Sequence, residues 1–202
     1  MALDLWAGHL DRALTEDEAD RLLGFLPPER QKRLVRLRDK LRRKEPLCAY
    51  ALLRIALRER YGWQELPQMA YSPQGKPYFP QYSEVQFNLS HTDGAVLVAI
   101  SNQAVGVDIE KIRPIRQQTM EQVANTASEE AFFQTWVRRE ARTKYRGIGV
   151  AGMIREEPPL QNGEYYYPLE IFSGYVAGVA TGSKGAPETI RRYTVDEILG
   201  HV

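Results

Sequence analysis

The chain has 202 residues, with 27 Lys and Arg against 26 Asp and Glu, for a formal net charge of +1. That length suits one large domain or two small ones, and the near-neutral total argues against a dedicated nucleic-acid binder. A single cysteine excludes an internal disulfide, and with three histidines there are too few soft ligands to expect a Cys/His zinc site. The stretch from Met1 to Trp6 has neither a basic leader nor a continuous apolar segment, and no run approaches membrane-spanning length. A cytoplasmic protein with no membrane partner is therefore expected.

Leu3 to Leu10 reads as a first strand. Thr15 followed by Glu16, Asp17 and Glu18 has the chemistry of a helix start: an N-cap hydroxyl, then acids in the first turn. Pro27-Pro28 ends that helix and opens a strongly basic one running from Arg30 to Lys44. From Pro46 an apolar helix that includes Cys48 runs to Tyr61, with Gly62 as its C-cap. Ser72 to Pro77 is turn chemistry, while Phe87–His91 and Ala95–Ile100 read as strands joined by Thr92-Asp93-Gly94. A strand from Ala104 to Glu110 follows, then a helix over about Ser128 to Arg146 stopped by Gly147 and Gly149. The strands expected last are Tyr165–Phe172, Tyr175–Thr181 and Thr189–Val195. Helix, glycine stop and antiparallel-looking strands thus occur twice. The reading is an α+β fold of two similar halves, 1–101 and 102–202, with a ligand cleft between them.

Two segments carry chemistry. In Val105-Gly106-Val107-Asp108-Ile109-Glu110, strand alternation puts the apolar residues on one face and Gly106, Asp108 and Glu110 on the other. Two neighbouring carboxylates are stable if both see water, share a proton or share a cation. Their hard oxygens suit Mg²⁺, which takes a few carboxylates together with a substrate phosphate. On the pair alone, a solvated strand end is the commoner case. The second segment is the late helix. Phe133, Trp136, Val137, Ala141 and Ile148 fall in one arc, and Arg138, Arg139, Arg142 and Arg146 in the opposite arc, expected to be solvated. Glu140 and Lys144 project within the apolar arc, as i,i+4 neighbours. A core-edge ion pair there returns little, so the two are candidate site residues. If that face meets Asp108 and Glu110, three carboxylates and an ammonium converge.

With these residues in place the chain resembles the 4′-phosphopantetheinyl transferases, of the long, pseudo-dimeric kind that activates carrier proteins of peptide and polyketide synthetases. The matching blocks, from about Pro28 to Thr181, are Gly75-Lys76-Pro77, Phe87-Asn88-Leu89-Ser90-His91, Val105 to Glu110, the pattern Trp136, Arg139-Glu140-Ala141, Lys144, and then Gly147 and Gly149. Each is weak alone; their order and spacing are specific.

The resemblance implies a pseudo-two-fold fold with coenzyme A between the halves and Mg²⁺ held by Asp108, Glu110 and Glu140. Lys144 would stabilise charge at the phosphates, and Lys76, Ser90 and His91 would contact them. Arg30 and Arg33 match basic positions near the ribose 3′-phosphate. Glu140 would also help deprotonate the incoming serine. The implied reaction is transfer of 4′-phosphopantetheine to a serine of an apo acyl or peptidyl carrier protein, as in holo-acyl-carrier-protein synthases, by a monomer. A basic nucleic-acid-binding module, or another Mg²⁺-dependent phosphotransferase or phosphodiesterase, are the rivals. Three departures stand out. Arg139 replaces the family's usual Lys, a change expected to be tolerated at a solvent-facing position. Lys44-Glu45 stands where a basic residue is common. The stretch from Ile115 to Ser128 is short.

Overall fold

The computed structural model describes residues 3–35, 43–148, 157–187 and 189–201, with the side chain of Arg33 outside that set. The elements in order are β1 (Asp4–His9), α1 (Glu16–Gly24), α2 (Pro28–Val35), α3 (Lys44–Tyr61), β2 (Ala70–Tyr71), β3 (Pro77–Tyr78), β4 (Gln86–Thr92), β5 (Ala95–Ser101) and β6 (Val105–Lys111), then α4 (Gln117–Ala124), α5 (Glu129–Arg146), β7 (Tyr165–Leu169), β8 (Tyr175–Thr181), β9 (Ile190–Thr194) and α6 (Val195–Gly200). This is a mixed α+β molecule with small, mostly antiparallel sheets. One sheet has the order β4-β5-β1-β9, a second β6-β8-β7, and β2-β3 form a short hairpin. The exception to antiparallel pairing is β9, which lies parallel to β1.

The helix signals act as the sequence implies. Thr15 and Glu18 form a reciprocal capping box on α1, satisfying donors that a helix start otherwise leaves bare. Ser128 caps α5 by accepting from the Ala131 amide. Both long helices, α3 and α5, stop at a glycine in the left-handed region, Gly62 and Gly147, where a side chain would be strained.

Alternation along β1 and β5 divides the interior into two cores. Trp6, Val96, Val98 and Ile100 point to a core shared with α1, α3 and α6. Leu5, Ala7, Leu97 and Ala99 point the other way, onto Val105, Val107, Ile109 and Val179 of the second sheet. The two sheets therefore share a core, with α3 packed against β5 and β4 and α5 against β6 and β8. α5 comes so close to β6 that a Cβ on Gly106 would lie 2.2 Å from both the Ala141 carbonyl oxygen and the Tyr145 nitrogen; only glycine permits that approach.

Several expectations need correction. Of the basic helix expected from Arg30 to Lys44, the described residues hold α2 as far as Val35 and the start of α3 at Lys44; 36–42 lie outside the described residues. Ile148 does not extend the apolar arc of α5; it lies beyond the Gly147 stop and is exposed. The last expected strand ends at Thr194, and Val195 begins α6 behind a second capping box, Thr194 with Glu197. The short stretch from Ile115 to Ser128 contains α4. A division at residue 101 leaves β9 and α6 with the second half in sequence but in the first half's sheet and core.

The largest correction concerns the arginine face of α5. Arg138, Arg142 and Arg146 are covered by residues 157–164. Arg138 forks onto Glu157, and Arg142 reaches Glu157 at 2.7 Å and Glu164 at 2.8 Å. Arg146 binds Glu164 at 2.5 Å, and both Arg142 and Arg146 donate to the Pro159 carbonyl. The side chains of Arg142 and Glu164 are only 3% and 1% exposed. Arg139 does not face solvent either: it donates to the Val123 carbonyl at 2.7 Å, tying α5 to the end of α4.

Candidate functional site

The site forms where β4, at the edge of the first sheet, meets β6, at the edge of the second. Asn88, 4% exposed, accepts a hydrogen bond from the Val107 amide at 2.9 Å. This side chain takes the place of a ladder bond and joins the two sheets. Two residues further along β4, and one along β6, the Ser90 hydroxyl donates to Asp108 Oδ1 at 2.8 Å. From above, Lys144 on α5 donates to the same oxygen at 2.7 Å and to Ser90 Oγ at 3.1 Å. Lys144 therefore pairs with Asp108 rather than with its helical neighbour Glu140. The expected alternation of β6 holds: Val105, Val107 and Ile109 enter the inter-sheet core, while Gly106 meets α5 and Asp108 its Lys144.

Asp108 is 4% exposed, and its second oxygen, Oδ2, is buried with no hydrogen-bond partner among the described residues. A buried carboxylate oxygen left bare costs several kcal/mol unless something satisfies it. Glu110, at the open end of β6, accepts from Thr92 at 3.1 Å and from Arg113 at 2.7 Å. Glu140 has its pKa raised above the ordinary glutamate value, first by burial and then by the negative charges of Asp108 and Glu110, against the opposing effect of Lys144. The three carboxylates thus sense one another. Among the described residues, however, no three His, Cys, Asp or Glu side chains are gathered so as to hold a metal ion by themselves. Mg²⁺ does not require such a cage, since it keeps waters and shares its coordination with substrate phosphate. The all-oxygen donor set and the bare Oδ2 fit that ion.

Lys76, on the turn into β3, is half-buried. Its ammonium donates to the Val105 carbonyl at 2.9 Å and to the Lys144 carbonyl at 2.8 Å. Burial lowers its pKa to about 8. Lys76, Asn88, Glu140 and Lys144 together line a depression of about 270 Å³ that also takes in Gly75 and Ile148. His91 is solvent-exposed on β4, yet surrounding protein pushes its imidazole pKa down, helped by the positive charges of Lys144 and Arg30. Exposure together with desolvation is what a residue on a concave wall experiences. Arg30, on α2, lies over the rings of Tyr50 and Tyr71 at 5.5 and 5.0 Å and donates to the Tyr71 hydroxyl. Arg33 is on α2 too, with its side chain outside the described set.

Of the expected site residues, Ser90, Asp108 and Lys144 are in direct contact. Lys76 touches the backbone of Lys144, and Glu140, Glu110 and His91 are linked to the group through their charges. Asn88 carries more than the sequence reading gave it; a polar residue flanked by Phe87 and Leu89 on a buried strand was the signal. Tyr166 was also missed. Its ring lies over Gly178, which pairs with Asp108 across the strands, and burial followed by the Asp108 charge raises its pKa. A larger concavity, about 1040 Å³, lies elsewhere, between the start of α5 and the β7–β8 turn.

Comparison with known proteins gives the chain's relatives. Over 225 aligned positions, covering 98% of this chain and all of the relative, the sequence is 24% identical to 4′-phosphopantetheinyl transferase Sfp of Bacillus subtilis (strain 168). It is 25% identical to 4′-phosphopantetheinyl transferase ffp of Bacillus subtilis, again over 98% of the chain and all of the relative. Against 4′-phosphopantetheinyl transferase psf-1 of Bacillus pumilus, identity is 28% over 70% of the chain and 66% of the relative. No protein-family model matches. The chain is thus similar to the 4′-phosphopantetheinyl transferases along nearly its whole length. Within that class its likeness is to the Sfp type.

Proposed function

We propose that this protein transfers the 4′-phosphopantetheine group of coenzyme A to a serine hydroxyl of an apo acyl or peptidyl carrier protein. The observation that carries the reading is the alignment with two 4′-phosphopantetheinyl transferases over 98% of the chain. The cluster of Ser90, Asp108 and Lys144 at the junction of the sheets supports it. In the reaction the serine oxygen attacks the β-phosphorus, the bond to the bridging oxygen breaks, adenosine 3′,5′-bisphosphate leaves and the serine proton passes to a base.

Such a transfer needs in-line positioning and neutralised oxygen charge more than covalent help. Glu140 is the base in this reading, since a carboxylate with a raised pKa takes a proton more readily than an ordinary one. The Lys144 ammonium, steered by Asp108 and Ser90, sets positive charge beside the phosphates. His91, neutral at pH 7 by the direction of its shift, recognises the nucleotide end through hydrogen bonds rather than charge. Lys76 and Ser90 border the phosphates, and the 3′-phosphate is assigned to Arg30 and Arg33. Asp108, Glu110 and Glu140 would hold Mg²⁺, which when bound supplies charge neutralisation at the pyrophosphate.

The same reading relates the halves by a pseudo-two-fold axis. Its support is the recurrence of an 18-residue helix, α3 and α5, ending at a left-handed glycine and packed on a sheet. One chain then supplies both walls of the cleft, so a monomer suffices, in the cytoplasm where coenzyme A is available. Among the described residues no helix is long and apolar enough to cross a membrane. Mass spectrometry tests the proposal. An apo carrier protein incubated with coenzyme A, Mg²⁺ and this enzyme should gain one phosphopantetheine mass on a serine; an unmodified carrier, across several acyl and peptidyl carriers, would overturn it.

A further inference from the structure

Lys76 stands apart from the other phosphate-facing residues because two of its three N–H donors are held by backbone carbonyls of two different elements. One goes to Val105, the first residue of β6, at 2.9 Å, and the other to the carbonyl of Lys144 in the last turn of α5, at 2.8 Å. Those two elements are the ones whose side chains meet in the Asp108–Lys144 pair. A helix end leaves its last carbonyls unpaired. In α5 the Thr143 carbonyl is closed by the Gly147 and Ile148 amides, and the Lys144 carbonyl is closed by Lys76. A cation is favoured at that terminus by the helix dipole.

The junction is also where α5 and β6 are closest, since Gly106 has the Ala141 carbonyl and the Tyr145 amide against it. At such a contact a small slide of α5 along β6 would carry Lys144 away from Asp108. The ammonium, reaching in from the β2–β3 hairpin of the first half, spans both elements and blocks that slide. The hairpin itself is held shut behind it: the Ser72 amide donates to the Lys76 carbonyl, and the Lys76 amide to the Ser72 hydroxyl.

We infer that Lys76 is a positioning residue, a latch from the first half that fixes the end of α5 against β6 and so sets Lys144 on Asp108 before any ligand arrives. The inference rests on the transferase reading but assigns Lys76 a role in orienting the catalytic lysine, beyond contact with a phosphate. It predicts where the damage falls. With Lys76→Met, which keeps the length and apolar stem but no donor, kcat should fall roughly 10- to 100-fold, the scale of a misplaced reacting group. The KM for coenzyme A should stay within about twofold, because little uniform binding is lost. Lys76→Arg, which restores donors, should recover most of kcat. A raised KM with kcat unchanged would make Lys76 a ligand contact only, and unchanged kinetics would remove its role altogether; either result overturns the latch.

A second measurement needs no variant to fold. In wild-type protein without coenzyme A, the ε-methylene signals of Lys76 in a lysine-labelled NMR sample should be those of an immobilised side chain, unlike the exposed Lys184. A Lys76 as mobile as Lys184 that stiffens only when coenzyme A is added would overturn the latch. Absence of transfer to any carrier would instead undo the transferase reading, and the NMR result would stand apart from it.

Discussion

α5 carries two ionic clusters on opposite flanks, and they are built differently. On the flank facing residues 157–164, Arg138, Arg142 and Arg146 meet Glu157 and Glu164 in a nearly closed set. The Gln161 amide and the Pro159 carbonyl take up remaining donors and acceptors. On the other flank, Asp108 has one oxygen engaged twice and the other without a partner among the described residues. The glutamates register the difference. Burial pushes the Glu164 carboxyl up, but the hydrogen bonds from Arg142 and Arg146 more than reverse it, and Glu157 behaves likewise with Arg138 and Arg142. Glu140, equally a helix-associated carboxylate, ends above its ordinary value. The satisfied cluster holds the helix in place; in the other, the same helix sets Lys144 on one oxygen of Asp108.

The comparison can be broken most severely at Asp108. Asp108→Asn keeps the size and one acceptor but removes the charge. Transfer should drop on the order of 10³-fold, several kcal/mol of charge stabilisation, with the thermal midpoint nearly unchanged. A loss of stability as large as the loss of activity would mean that Asp108 belongs with the structural cluster.

Glu164→Gln is the complementary test. It takes the counter-charge from Arg146 and leaves Arg142 with Glu157 alone in a nearly closed site, so stability measured by urea unfolding should fall by about 3–5 kcal/mol. Turnover per folded molecule should change far less than in Asp108→Asn. If the variant is as stable as wild type, the strap formed by residues 157–164 is not what holds α5.

The smallest effect expected is one of pH. Glu157 and Glu164 have folded pKa values below their unfolded ones. The unfolded chain therefore binds more protons as acid is added. Their contribution is fully present above the ordinary carboxylate range and is lost as pH falls through the lower, folded values. The stability gap between wild type and Glu164→Gln should accordingly be constant from pH 7 to about 5 and narrow below about 4. A gap that persists undiminished at pH 3 would remove the charge-based account of the strap.

How far the sequence could be read differs between the same two flanks. The alternation of β6 and the inward position of Glu140 and Lys144 depend on local periodicity, and a single strand or helix carries that information. The fate of the arginine face does not. A helical wheel sees one helix, and four arginines in an arc look solvated until Glu157 and Glu164, well downstream, fold over them. Arg139 was misjudged for the same reason, its partner being a carbonyl of α4. Start and stop signals at Thr15, Gly62, Ser128 and Gly147 were legible because caps are satisfied within a few residues. The box of Thr194 and Glu197 was equally local and could have marked α6, but Val195, itself β-branched, let the strand reading run past its end. The parallel pairing of β9 with β1 has no local signature at all.

That pairing has a consequence for the order in which the chain can become folded. β1 is central in its sheet only because β9 lies on one side of it, and Val195, Ile198 and Leu199 of α6 fill the core beneath Trp6. During synthesis, residues 1–101 emerge with β1 as a bare edge and that core open on one flank until residues 190–199 have left the ribosome. Ribosome-bound intermediates of the first half should therefore be loose and adhesive, and closure of the first core should be among the last steps, a cost inherent in contacts between distant parts of a chain.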